Sequence, residues 1–151
     1  EAHKLNPLSL EVLRVLLNYE TNEVKLLQLV LMGQLELLPL LKDLPNVMDR
    51  ISLKCTLGPL SLKETREMIE FRLAEAGYDS RTALFQEEAL EAIHEYAQGF
   101  PRRISMLCHQ ALRSLVMYHR AVADRPLVEE LIQREIEAGW SPRKILQKSN
   151  C

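Results

Sequence analysis

Lys25-Leu26-Leu27-Gln28-Leu29-Val30-Leu31-Met32-Gly33-Gln34 is the stretch on which the fold turns. Its apolar run is strand-sized, has little polar alternation and stops at a glycine. That is the pattern of a strand buried on both faces, as in a parallel sheet. Such a sheet needs helical crossovers. Upstream, residues 6–20 read as a helix on the stripe Leu10, Leu13, Leu16 and Leu17, with Asn6 and Pro7 as its start. Downstream, a short helix between Leu35 and Leu41 precedes a break at Leu44-Pro45. Residues Arg50 to Leu57 then alternate with period two, read as a strand with one buried face, and end at Gly58-Pro59. This is too little for a complete doubly wound sheet, so the segment reads as half of an α/β domain.

After Gly58 the texture turns purely helical, and a domain boundary is expected there. Ser61-Leu62-Lys63-Glu64 has the capping-box pattern and starts a helix through Leu62, Met68, Ile69 and Leu73, ending at Gly77. A second helix carries Ala89, Leu90, Ile93 and Ala97 and ends at Gly99. The third runs from Pro101 to about Arg120 on Ile104, Leu107, Cys108, Ala111, Leu112 and Leu115. Pro126 opens a fourth through Val128, Leu131, Ile132 and Ile136, stopping at Gly139. Short amphipathic helices with short connections make a small bundle. Trp140 to Cys151 reads as a polar tail.

Within this half, Gly99-Phe100-Pro101-Arg102-Arg103-Ile104 puts two arginines in the first turn of a helix. Proline suits the first helical position because its missing N–H would be unsatisfied there anyway. Cations at the positive end of the helix dipole are disfavoured by roughly 0.3–1 kcal/mol each. Free N–H groups and arginines converging on one spot suit an anion, phosphate above all. The alternative is two solvated surface arginines.

Of the 151 residues, 47% are apolar and 26% charged, with a net charge of -2. This is ordinary globular composition. It argues against a strongly basic nucleic-acid surface and leaves room for a local patch. Cys55, Cys108 and Cys151 are far apart, odd in number and form no CxxC pair. They read as reduced thiols of a cytoplasmic protein. His3, His94, His109 and His119 show no metal-ligand spacing. No run approaches the roughly 20 apolar residues of a membrane span. Glu1-Ala2-His3-Lys4 is no signal peptide and lacks an initiating methionine, so the sequence reads as starting inside a longer chain.

Several segments resemble one family together. Glu1-Ala2-His3 is similar to the end of a DEAH- or DEAQ-type Walker B motif, beginning just after its aspartate. Leu29 to Leu37 resembles the LVGQPEL segment of the ExeA/GspA-type AAA+ ATPases. Arg50-Ile51-Ser52-Leu53, Leu57-Gly58-Pro59-Leu60 and Glu64-Thr65 resemble that family's QRI…L-x-PL…ET passage. Gly99-Phe100-Pro101-Arg102, with Ile104 and Leu107-Cys108, resembles its GGIPRLIN-x-LC helix start. The resemblance spans residues 1 to about 138 in order and spacing.

It implies the C-terminal half of a RecA-like P-loop NTPase core over residues 1–58, an AAA+ helical lid over 59–140 and a tail over 141–151. Glu1 then matches the carboxylate that orients or deprotonates the attacking water. Gln34 matches the polar sensor at the end of the fourth core strand. Arg102 matches the lid arginine that reads the γ-phosphate, leaving Arg103 the lesser candidate. Arg50 matches an arginine finger reaching a neighbouring subunit's nucleotide. ATP and Mg²⁺ would belong to a longer parent protein acting as a homo-oligomer, with DNA or a membrane assembly as partner. In the family's sheet order, the strand before the phosphate loop lies between the two strands present here.

There are departures and rival readings. Leu35 stands where the family usually has proline, and His3 where it more often has glutamine. No G-x-x-x-x-G-K-[ST] loop and no Walker B aspartate occur in these residues, so turnover of ATP by them alone is not expected. Gln34 could instead cap a strand, and Arg50 could pair with Asp49. Secretion-type and transposition-type relatives, the latter of the TniB/MuB kind, both fit the pattern. A different class also fits: a helical DNA-binding or adaptor module, with the helix ending at Gly99 and that starting at Pro101 as helix-turn-helix.

Overall fold

Helices are the only regular elements among the residues that the computed structural model describes, which are 1–21, 23–78 and 82–139. The expected strands are not formed. Residues 23–30 and 52–59 are exposed at every position, with Val30 79% and Leu57 91% accessible. No backbone hydrogen bond among the described residues joins 25–34 to 50–57. A strand satisfies its backbone only through a neighbour, so an apolar run without one stays extended and wet.

The chain divides into two units, Glu1–Thr56 and a second beginning at Leu57. In the first, a short 3-10 turn, Ala2–Lys4, precedes α1 (Pro7–Leu16), α2 (Leu37–Lys42) and α3 (Pro45–Met48). Asn6 starts α1 through its side-chain oxygen, which accepts the Ser9 N–H at 2.7 Å, and Pro7 follows in the first turn. The helix stops short of the expected residue 20. Of its leucine stripe only Leu10 is buried, because just a small core waits for it: Ala2, Leu10, Leu37, Leu41 and Val47.

The second unit holds α4 (Leu62–Glu75), α5 (Glu87–Ala97), α6 (Pro101–Met117) and α7 (Arg125–Glu137). Ser61 and Glu64 form both halves of the capping box: Ser61 N–H donates to Glu64 Oε2 at 2.8 Å, and Glu64 N–H to Ser61 Oγ at 3.3 Å. Asp124 caps α7 by accepting the Leu127 N–H at 3.2 Å. The start of α5 is tied to the start of α7 by Gln86 N–H to Ala123 O at 2.9 Å and Ala123 N–H to Leu84 O at 2.8 Å. Ile93, Ile104, Leu107 and Val128 are fully buried at the centre, each worth about 1.5–3 kcal/mol of apolar transfer.

One contact sets where α6 begins. Leu60 N–H donates to Gly99 O at 2.8 Å, bringing the two backbones together. Gly99 is buried at φ +73, and a Cβ there would sit 2.2 Å from Leu60 O. Only glycine combines that dihedral with that approach.

Candidate functional site

In the first unit, the polar candidates gather where the Glu1 segment meets Gly33. Ala2 N–H donates to Met32 O at 2.8 Å, and Gln34 N–H donates to His3 Nδ1 at 3.1 Å. Gly33 packs so closely that a Cβ would meet His3 N at 3.0 Å. An Nδ1 that accepts must carry its lone pair, so the His3 ring proton sits on Nε2 in the neutral imidazole. His3 thus has a structural task that its spacing in sequence did not announce.

These bonds bring Glu1 and Gln34 into one neighbourhood, both with exposed side chains. Glu1 pairs with Lys4 Nζ at 2.6 Å, and that hydrogen bond holds its carboxyl below the ordinary 4.5. An exposed pair of this kind adds little stability. Its chemical consequence is an ionised oxygen at neutral pH, able only to accept. Gln34 offers both a donor and an acceptor. Arg50 lies exposed just after α3, with its N–H on Val47 O at 3.1 Å. No ion pair to Asp49 forms among the described residues.

Arg102 belongs to the second unit, and the two arginines of the α6 first turn behave differently. Phe100 is the N-cap and lends no side-chain hydrogen bond, so the backbone N–H groups of the first turn stay open. Arg102 is exposed and makes no ion pair among the described residues. Arg103 is half-buried over the Phe100 ring, its guanidinium carbon 5.1 Å from the centroid. Its Nη1 is buried without a hydrogen-bond partner among the described residues. Ser105 closes the turn by donating Oγ–H to Pro101 O at 2.7 Å, and Arg72 Nη1 donates to Ser105 Oγ at 2.8 Å.

Two polar links escaped the sequence reading. Thr65 is fully buried, with Oγ1 3.0 Å from His94 Nδ1. Tyr96 OH donates to Glu135 Oε2 at 2.8 Å, while Gln110 Nε2 donates to the other carboxylate oxygen at 2.7 Å. Burial first, then the bond to Glu135, push the Tyr96 phenol up to about 12. Partners 29 and 39 residues apart leave no local signal. Cys108 lies half-buried between α4 and α6, where burial pushes its thiol up to about 12, while Cys55 is exposed. Cys151, Trp140 and the rest of the tail lie outside the described residues. No helix among the described residues is long and apolar enough to cross a membrane.

Over 114 residues the chain is 41% identical to general secretion pathway protein A of Aeromonas hydrophila, a match covering 74% of this chain and 20% of that protein. Over 93 residues it is 32% identical to an uncharacterised HTH-type transcriptional regulator of Methanocaldococcus jannaschii, covering 60% of this chain and 23% of the regulator. The chain therefore spans only about a fifth to a quarter of these relatives' lengths. No family model matches it. No solved structure matches it. The first match supports a relationship to the protein A type of secretion protein.

Proposed function

We propose that this chain is the C-terminal part of an AAA+ ATPase of the ExeA/GspA type. In this reading residues 1–58 complete a RecA-like core, 59–140 form its helical lid, and 141–151 are a tail. The observation that carries it is the pair of hydrogen bonds from Ala2 N–H to Met32 O and from Gln34 N–H to His3 Nδ1. They join the segment resembling the end of Walker B to the segment resembling the sensor. An ionised Glu1 and an amide on Gln34 suit an attacking water and a terminal phosphate. Within the second unit, the exposed Arg102 beside open N–H groups suits a phosphate in its own right. Arg50, exposed at the surface, suits a neighbouring subunit's nucleotide in a homo-oligomer.

ATP with Mg²⁺ supplies the cleavable phosphoanhydride when bound to the parent protein. The residues present fit its terminal phosphate and not its cradle, since the sequence has no phosphate loop. Apolar residues exposed along 25–32 and 53–57 also suit a sheet whose remaining strands lie elsewhere in a longer parent. We place the parent in the cytoplasm, in a secretion-type or transposition-type assembly. The test is binding of a fluorescent ATP analogue by the protein expressed from its own gene. Arg102→Ala is expected to weaken the nucleotide response by about tenfold or more, and an unchanged response overturns the assignment.

The match to the HTH-type regulator favours a second reading, a helical DNA-binding or adaptor module without nucleotide chemistry. Against it, α6 buries Ile104, Leu107, Ala111 and Leu115, leaving a narrow outward face for reading bases. Duplex binding by the 151-residue chain that falls steeply with salt would favour this module instead.

A further inference from the structure

His3 is held to Gln34 by a hydrogen bond that works in one protonation state only. Its Nδ1 accepts the Gln34 N–H at 3.1 Å, across 31 residues of sequence. A backbone N–H can only donate, so the ring nitrogen opposite must keep its lone pair. A proton on Nδ1 sets two donors face to face, and the bond is lost. His94 in the second unit is the contrast, with Nδ1 3.0 Å from Thr65 Oγ1. A hydroxyl can donate or accept, so that contact survives either state of the ring by rotation of the hydroxyl. Gln34 N–H has no such freedom.

The charges around His3 give a protonated ring a second partner. On its own turn, Glu1 and Lys4 form an exposed ion pair at 2.6 Å. Lys4 first, then the α-amino group and the charge of His3, hold the Glu1 carboxyl below the ordinary 4.5, so ring and carboxylate are within electrostatic reach. The helix packed against this turn, α2, carries Glu36 at its N-cap and Lys42 in its last turn, both exposed and of opposite sign. Gly33 packs against the His3 backbone and brings no charge.

We infer that His3 is a proton-operated tie between the Glu1 segment and the Gln34 segment. With the ring neutral, Nδ1 holds the Gln34 N–H and closes the tie. With the ring charged, Gln34 is released and the imidazolium turns to the Glu1 carboxylate, competing with Lys4 for it. The neighbouring bond from Ala2 N–H to Met32 O at 2.8 Å contains no titrating group, so the release is confined to Gly33-Gln34. Because the bond needs the unprotonated ring, the tie is closed at higher pH and opens as pH falls. Histidine is the side chain that gains its charge between about pH 8 and about pH 5. The effect on turnover rests on the ATPase reading, in which opening frees Gln34 and occupies the water-activating carboxylate. The tie itself uses no nucleotide.

The test is an NMR titration of the isotope-labelled 151-residue chain from about pH 8 to about pH 5, following the Gln34 amide and the His3 ring. The Gln34 amide should shift with the same midpoint as the His3 ring. Once the ring is charged, that amide should exchange with solvent about fivefold faster than in His3→Gln at the same pH. The glutamine offers an oxygen that accepts and does not titrate, so His3→Gln should keep the tie closed throughout and remove the step. The α-amino group, His94, His109 and His119 titrate alike in both chains, which isolates the contribution of His3. A Gln34 amide that stays unmoved while the His3 ring titrates overturns the proposal. So does a step of the same size in His3→Gln. Since no nucleotide is added, these shifts and the ATPase reading stand or fall separately.

Discussion

Replacing Gly99 with alanine tests the junction that starts α6 and so orients Arg102. Two costs add. A side chain at φ +73 pays the left-handed penalty, about 1–2 kcal/mol. A Cβ placed 2.2 Å from Leu60 O also cannot be accommodated without moving the Leu60 backbone. That movement breaks the 2.8 Å bond from Leu60 N–H to Gly99 O, worth about 1 kcal/mol. Together they come to about 2–3 kcal/mol, or roughly 8–24 °C in melting temperature for a bundle of this size.

Gly77 supplies the control. It has φ +83, yet nothing lies within 4 Å of its Cβ position, so Gly77→Ala carries the dihedral cost alone. Urea unfolding of both variants, followed by far-UV circular dichroism, separates the terms. The account expects Gly99→Ala to be the more destabilised by about 1 kcal/mol, the lost bond, at unchanged m. Equal losses at the two glycines would refute the close-approach argument.

Other expectations are more local. Ser61→Ala removes the capping box and should cost about 1 kcal/mol in the same denaturation. Hydrogen bonds from the Ser61 backbone and then its side chain hold the Glu64 carboxyl below the ordinary 4.5. A depressed folded-state value stabilises above the unfolded value and is lost as pH falls through the lower folded one. Glu64→Gln should therefore flatten the acid limb of the stability curve below the ordinary carboxylate range, and an unaltered limb would contradict the bond. Cys108, its thiol pushed up to about 12, should alkylate at pH 8 at least about 100-fold more slowly than the exposed Cys55 in peptide mapping. Comparable rates would show that the α4–α6 packing is looser than described.

What the sequence disclosed follows the range of the forces involved. Helix starts at Asn6-Pro7, Ser61 and Pro101 were readable because caps act within three or four residues. Helix ends at Gly77 and Gly99 were readable for the same reason. The apolar run at 25–34 forms no strand in this chain because its pattern records a neighbour and cannot supply one. His3 was unreadable, since its partner, Gln34 N–H, is 31 residues away. For the candidate site, helix polarity singled out Arg102 and Arg103 together. Only packing separates them, by folding Arg103 onto Phe100 and leaving Arg102 in solvent.

The most direct measurement is paired ATP binding and turnover by the protein expressed from its own gene, with and without Glu1→Gln. An acceptor that activates water should be dispensable for binding and needed for cleavage. The account predicts unchanged nucleotide affinity and a loss of turnover of about 100-fold or more. Turnover that survives Glu1→Gln, or a native protein that neither binds nor hydrolyses ATP, would contradict it.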